Sequence, residues 1–201
     1  MIRTPQALLP WLFLLVALGG GLLWSASEMA GPGHAIVSGT AEVGGPFALV
    51  DQNGKPRRES DFRGLYRLVY FGYTNCPDVC PTTLAAIAQA FGKIGARKTK
   101  LVPLFISIDP ERDSPKVLKA YLSAFGPEFV GLTGSTSAVN SVAREYRVYF
   151  ARHPLASGGY AVDHSSLLYL MAPDGSFVTF YEDQSLEPDA LAADLRKRIR
   201  G

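Results

Sequence analysis

Two cysteines, Cys76 and Cys80, stand in the stretch Phe71–Leu84 (FGYTNCPDVCPTTL), separated by three residues and each followed by proline. Thiols at this spacing suit two chemistries: holding a soft metal ion or closing a disulfide. As a structural staple the pair would achieve little, because a bridge across three residues constrains little chain entropy. Two cysteines in 201 residues are also too few for a disulfide-built scaffold. The residue before a proline is pushed out of the α region. Pro81 is therefore expected to open a helix, with Cys80 just outside its N-terminus. Unpaired N–H groups and the helix dipole at that point favour a thiolate at Cys80. Cys76 is then expected on the loop between a strand end and this helix, within reach of its partner.

A third donor is His164, in Tyr160–Leu168 (YAVDHSSLL), where a loop feeds an apolar strand. Taken alone, a histidine at a strand start is commonly a hydrogen-bonded structural residue. The inventory of the domain shifts the balance. Two thiolates and one imidazole make a three-donor soft set that suits Cu(I), whereas structural zinc requires a fourth protein ligand. Asp163 is a candidate for orienting the imidazole, or for capping a turn. His153 is the competing imidazole, but Arg152 and Gly158–Gly159 mark its surroundings as an exposed loop. His34 falls in a small-residue linker and reads as solvated.

The elements that must position these residues follow from hydrophobic periodicity. Strand formers at Leu68–Tyr73 lead into the cysteine loop, and Thr82–Ile94 leads out of it with Leu84, Ile87, Ala88 and Phe91 at helical spacing. Upstream, Phe47–Val50 reads as a strand, Asp51–Gly54 as a turn and Arg57–Glu59 as the returning partner. Downstream, Leu101–Ile108 (LVPLFISI) is a nearly continuous apolar strand, as expected for one covered on both faces. The acidic loop Asp109–Asp113 precedes a helix capped by Ser114, with Pro115 at its first position, that runs to about Phe125. A strand at Phe129–Leu132 and a helix at Thr136–Tyr146 come next. Val148–Phe150 and Tyr160–Val162 flank a loop containing His153, and a hairpin pairs Ser165–Met171 with Ser176–Tyr181 around Pro173–Asp174–Gly175. The last helix starts near Pro188, and its basic end complements the helix dipole. Alternating strands and helices predict an α/β fold with a mixed sheet flanked by helices.

With 47% apolar residues and a net charge of +2, the chain suits one well-buried domain plus an extension. Neither the charge nor any basic stripe points to nucleic acid. Ala7–Trp24 is uncharged and about long enough to cross a bilayer, with tryptophan near both ends. Arg3 precedes it and no Lys or Arg follows until Lys55, so the N-terminus stays cytoplasmic and the remainder crosses. Residues 1–6 are thus expected to be a short cytoplasmic end, 7–24 a membrane anchor, 25–42 a linker and 43–201 the folded domain. A cleaved signal peptide is the rival reading of the same apolar run, with Ser25–Ala26–Ser27 supplying small residues for cleavage.

Three segments, YFGYTNCPDVCPTTL, FISIDPERDSP and YAVDHSSLLYLMAPDG, resemble the Sco family (SenC/PrrC type) in the right order, over essentially all of Val43–Ile199. The resemblance implies a thioredoxin-like, peroxiredoxin-related fold with an added hairpin. It implies that Cys76, Cys80 and His164 bind copper, as Cu(I) or Cu(II). It also places the Asp109–Asp113 loop near the site. Asp163, Asp78 and Asp109 are candidates for supporting the metal ligands or contacting a partner. The implied activity is copper delivery to the binuclear centre of cytochrome c oxidase, with the copper-bearing oxidase subunit as recipient. A copper donor and a thiol reductase would be further partners. The location would be the bacterial inner membrane facing the periplasm, or the mitochondrial intermembrane space in a eukaryote. The competing expectation is a thiol–disulfide oxidoreductase. Against it, the spacing is C-x-x-x-C, and Asp163–His164–Ser165 stands where thioredoxins carry a proline. A peroxidase is further off, because Pro77 replaces the threonine three residues before the peroxiredoxin cysteine.

Overall fold

Seven strands form one sheet, in the order β2 (Pro56–Arg58), β1 (Ala48–Asp51), β5 (Val130–Thr133), β4 (Leu101–Ser107), β3 (Tyr66–Gly72), β8 (Leu167–Met171) and β9 (Phe177–Glu182). The structure is a computed structural model describing residues 43–156, 158–183 and 186–199. The expected anchor over 7–24, the cytoplasmic end 1–6, the linker 25–42 and His34 all lie outside the described residues. Among the described residues, no helix is long and apolar enough to cross a membrane.

The centre of the sheet is parallel. β3 (Tyr66–Gly72) pairs with β4 (Leu101–Ser107), and β4 pairs with β5 (Val130–Thr133). β3 is buried from Arg67 to Gly72 and β4 is buried at all but one position, as their unbroken apolar runs require. Antiparallel strands complete both sides: β1 (Ala48–Asp51) with β2 (Pro56–Arg58) on one, β8 (Leu167–Met171) with β9 (Phe177–Glu182) on the other. The β8–β9 turn closes where the sequence predicts. Gly175 takes the left-handed φ of +100° that glycine accommodates, and the Asp174 carboxylate accepts the Ser176 N–H at 2.9 Å.

Four helices cover the sheet: α1 (Val79–Lys93), α2 (Pro115–Leu122), α3 (Thr136–Glu145) and α4 (Pro188–Arg198). Adjacent strand residues face opposite ways. Tyr70 reaches Cys80 at the start of α1, while Phe71 packs on Tyr146 at the end of α3. The two helices therefore cover opposite faces, and α4 packs against α1. The Ser114 and Ser135 hydroxyls cap α2 and α3 as N-cap acceptors.

Two local expectations change. The helix after the cysteines begins at Val79, so Cys80 lies in its first turn rather than outside it. A proline fits there because first-turn N–H groups have no intrahelical acceptor. The first helical bond runs from the Thr82 N–H to the Asp78 carbonyl, one residue beyond Pro81. His153, expected in a loop, lies in β6 (Phe150–Pro154), which pairs with β7 (Tyr160–His164) in a separate two-stranded sheet. Its turn is closed by glycines 158 and 159, at φ +87° and +77°.

Candidate metal centre

The loop that follows β3 carries Cys76, the first turn of α1 carries Cys80, and the last residue of β7 carries His164. The fold brings all three together. His164 Nε2 lies 3.8 Å from Cys80 Sγ, and Cys76 Sγ accepts the Cys80 N–H at 3.4 Å. A shallow cleft opens onto this group, lined by Tyr73, Cys76, Asp78, Val162, Asp163 and His164. Both cysteines are free thiols, Cys80 buried and Cys76 half-buried.

The electrostatics reverse the expected assignment of the thiolate. Hydrogen bonds from the Cys80 thiol, the His164 ring and the Cys80 and Asp78 N–H groups hold Cys76 far below the ordinary thiol range, against the opposing effect of burial. The neighbouring Cys76 sulfur, and then burial, push Cys80 up. Helix N-terminal N–H groups do stabilise a thiolate here, but the sulfur receiving them belongs to Cys76. Burial disfavours ionisation of the His164 ring. Its contacts with Cys76 and the Ser165 carbonyl outweigh that and raise it.

The histidine tautomer follows from its partner. Nδ1 lies 3.0 Å from the Ser165 carbonyl oxygen, which can only accept, so Nδ1 carries a proton and Nε2 faces the sulfurs. Fixing one ring nitrogen on a backbone carbonyl is how proteins orient a metal-binding imidazole. Asp163 does not do this: it pairs with His153 at 3.0 Å, and its side chain is 72% exposed. The imidazole of His153 is outside the donor group, since His153 lies three residues along β6 from the partner of His164, about 10 Å away. Asp78 stands at the start of α1 without a side-chain capping bond. Asp109 is fully buried, so its carboxylate presents no surface to a partner.

Sequence reasoning passed over the aromatic surround of the donors. Tyr73 packs edge-on to His164 at 6.1 Å between ring centroids. The Tyr70 hydroxyl donates to Asp183 at 3.1 Å and lies 3.8 Å from Cys80 Sγ. A phenol within a strand covered on both faces needs a buried polar partner, and that was the available signal for Tyr70. The donor chemistry fits a soft ion: two sulfurs, with the surroundings of Cys76 favouring its thiolate, and an imidazole whose Nε2 faces them. Among the described residues, no three His, Cys, Asp or Glu side chains form a ready-made metal cage.

A sequence model of the SCO1/SenC family matches residues 37–200. The chain belongs to the SCO1/SenC family. It is 38% identical over 205 residues to the mitochondrial SCO1 homolog 1 of Arabidopsis thaliana, covering 94% of this chain and 60% of that protein. Among solved structures, Bradyrhizobium japonicum ScoI with copper bound shares 44% identity at a TM-score of 0.73, over 79% of this chain and 99% of that one. BsSco, described as a member of the Sco family of cytochrome c oxidase assembly proteins with a disulfide switch, shares 27% identity at a TM-score of 0.62. That match covers 78% of this chain and 92% of BsSco. The mixed α/β sheet flanked by helices is the fold of these Sco structures. The chain spans between 51% and 60% of the length of four mitochondrial relatives from plant, human, mouse and yeast.

Proposed function

We propose that this protein binds copper through Cys76, Cys80 and His164 and delivers it to the copper-bearing subunit of cytochrome c oxidase, at the binuclear centre, during assembly. The supporting observation is the meeting of Cys80 and His164, 84 residues apart, beside Cys76, whose sulfur accepts the Cys80 N–H. Copper is the cargo. Cys76 offers a charged donor, Cys80 gives up its proton as the ion binds, and His164 presents Nε2. Cys76 is half-buried at the cleft and Cys80 fully buried, so a recipient's thiolate meets the Cys76 side first and exchanges ligands there. In this reading a separate protein supplies the copper, and a thiol reductase keeps the pair reduced. Residues 7–24 anchor the chain in a bacterial inner membrane with the domain in the periplasm.

Anaerobic Cu(I) titration of the reduced protein against a chromophoric chelator tests the site. One tightly held copper per chain, lost in Cys76→Ser and in Cys80→Ser and weakened in His164→Ala, is the expected result. Tight binding that survives all three substitutions would refute the ligand set. A second reading, a thiol–disulfide oxidoreductase, draws on the low-lying Cys76 thiolate beside a protonated Cys80, the arrangement of an attacking and a resolving thiol. Rapid reduction of a disulfide substrate, with no tight copper binding, would establish that reading instead.

A further inference from the structure

His164 sits on a hairpin that the main sheet does not hold. Among the described residues β7 pairs only with β6, and no ladder hydrogen bond ties the hairpin to the seven-stranded sheet. Beyond the Val162 N–H, which donates to the Tyr73 hydroxyl at 3.5 Å, and the two-residue link into β8, the hairpin's polar contacts with the domain come from the loop after β4. Asp109, fully buried, accepts the Tyr160 hydroxyl at 2.7 Å and Arg152 Nη2 at 3.3 Å, and also pairs with Arg112. Arg112 Nη1 donates to the Tyr160 carbonyl at 3.0 Å, and its guanidinium lies 3.9 Å from the centre of the Tyr160 ring. Arg152 lies 4.7 Å from the same ring centre and pairs with Glu111 at 2.8 Å. Tyr160 starts the strand that His164 ends.

The other end of the loop grips the cysteine segment. Asp113, also fully buried, accepts the Thr74 N–H at 3.0 Å, the Thr74 hydroxyl at 2.6 Å and the Ser107 hydroxyl at 2.6 Å. Thr74 lies two residues before Cys76. The Asp113 N–H donates to the Asp109 carbonyl at 2.9 Å, which couples the two carboxylates through one turn. Two halves of the candidate metal centre therefore hang from a single loop, one on each acid.

We propose that Asp109, Arg112 and Tyr160 form a clasp that positions His164, so that this clasp governs whether the imidazole reaches the sulfurs. The inference rests on the proposed copper site. A buried carboxylate with cationic partners tolerates loss of one partner poorly. A strand held at one end by a charge-assisted hydrogen bond shifts when that bond goes. Neither Tyr160→Phe nor Asp109→Asn removes the Asp113 side-chain bonds to Thr74, two residues before Cys76, or the packing of Cys80 in α1.

The test uses the full-length protein with Tyr160→Phe, which removes the hydroxyl and keeps the stacked ring, and with Asp109→Asn. Amide hydrogen exchange without metal should accelerate about tenfold or more across 160–164 relative to β3 and β4 in both variants. With Cu(II) added, the absorption spectrum should shift toward that of His164→Ala, while Cu(I) stoichiometry stays at one per chain. In the His164→Ala background, Tyr160→Phe should add no further spectral change. Native exchange and native spectra in both clasp variants, with His164→Ala altered, would overturn the clasp and leave the copper site standing. A native spectrum from His164→Ala itself would overturn both.

Discussion

Gly72 ends β3 against the Cys80 sulfur, and adding one methyl group there tests how tightly that sulfur is confined. A Cβ at Gly72 would stand 2.8 Å from Cys80 Sγ, 2.9 Å from Phe105 Cε2 and 3.3 Å from Phe105 Cζ. Ordinary non-bonded contact is about 3.5–4.0 Å, so the sulfur or the strand must retreat by about 1 Å. The strand is poorly placed to move: Gly72 is paired with Ser107 and accepts the Ile108 N–H at 2.9 Å. Cys80 and Phe105 are both fully buried. Overpacking of this kind costs about 1–3 kcal/mol, and a chain of this size loses about 2–4 °C per kcal/mol, so Gly72→Ala should lower Tm by about 2–12 °C. The effect on copper should be larger, because metal–ligand distances tolerate only about 0.2 Å. With Cys80 as a ligand, as proposed, displacing it by about 1 Å should weaken Cu(I) binding by about 10–100-fold, the range seen when support for a metal ligand is lost. Thermal unfolding by circular dichroism and chelator competition measure the two effects. Gly92→Ala is the control: a Cβ there meets nothing within 4 Å, and it sits within α1, where alanine is the better helix former. A Gly72→Ala protein with native Tm and native Cu(I) affinity would refute the claim that the sulfur is confined.

Two further outcomes follow from ionisation. In the reduced, metal-free protein, iodoacetamide should modify Cys76 selectively, at a rate nearly flat from pH 5 to 8. An ordinary thiol slows about tenfold per unit below its pKa of about 8.5; peptide mapping that finds this tenfold dependence at Cys76 would remove the thiolate. Asp51, buried in the β1–β2 turn, accepts the Asn53 and Lys55 N–H groups and Arg57 Nε at 2.9, 3.0 and 2.9 Å. Burial opposes ionisation, but these bonds together lower its pKa. Its stabilisation is therefore complete above the unfolded value of about 3.9 and lost as pH falls through the lower folded value. Asp51→Asn should cost about 1–3 kcal/mol at neutral pH and flatten the acid limb below about pH 4; parallel acid-unfolding curves would contradict this.

The central strands were legible because their composition admits one reading. The apolar runs at 68–73 and 101–108 are too short and too rich in aromatic or β-branched residues for helices and too continuous for half-exposed strands, and they form β3 and β4. The β6–β7 pairing was not legible. Arg152, His153 and Pro154 carry no apolar alternation, and all three are exposed or half-exposed, so periodicity had nothing to register. The three donors could be named from residue type, spacing and family resemblance. The ionisation of the cysteines could not, because it depends on which sulfur receives the N–H groups, a matter of the turn between Tyr73 and Val79. Burial of Asp109 was equally hidden, since DPERDSP reads as an exposed turn until Tyr160 and Arg152 arrive from 40 and more residues downstream.

The difference between the two cysteines has a consequence for how a site of this kind releases its cargo. Two neighbouring sulfurs cannot both be charged cheaply, so one proton is shared out by environment. Cys80, enclosed by Tyr70, Gly72 and Phe105, keeps it; Cys76, facing the cleft and receiving N–H groups, does not. In the proposed copper site, binding an ion therefore displaces a proton from the buried sulfur, and loss of the ion returns it there. The Tyr70 hydroxyl, donating to Asp183 in the metal-free protein, cannot at the same moment donate to Cys80. The inner sulfur is thus more readily reprotonated than supported as a free thiolate, which favours release once a recipient's ligands take over the Cys76 side. Under the proposed function, retention of copper and its transfer both depend on this asymmetry, one sulfur fixed by packing and the other left open to exchange.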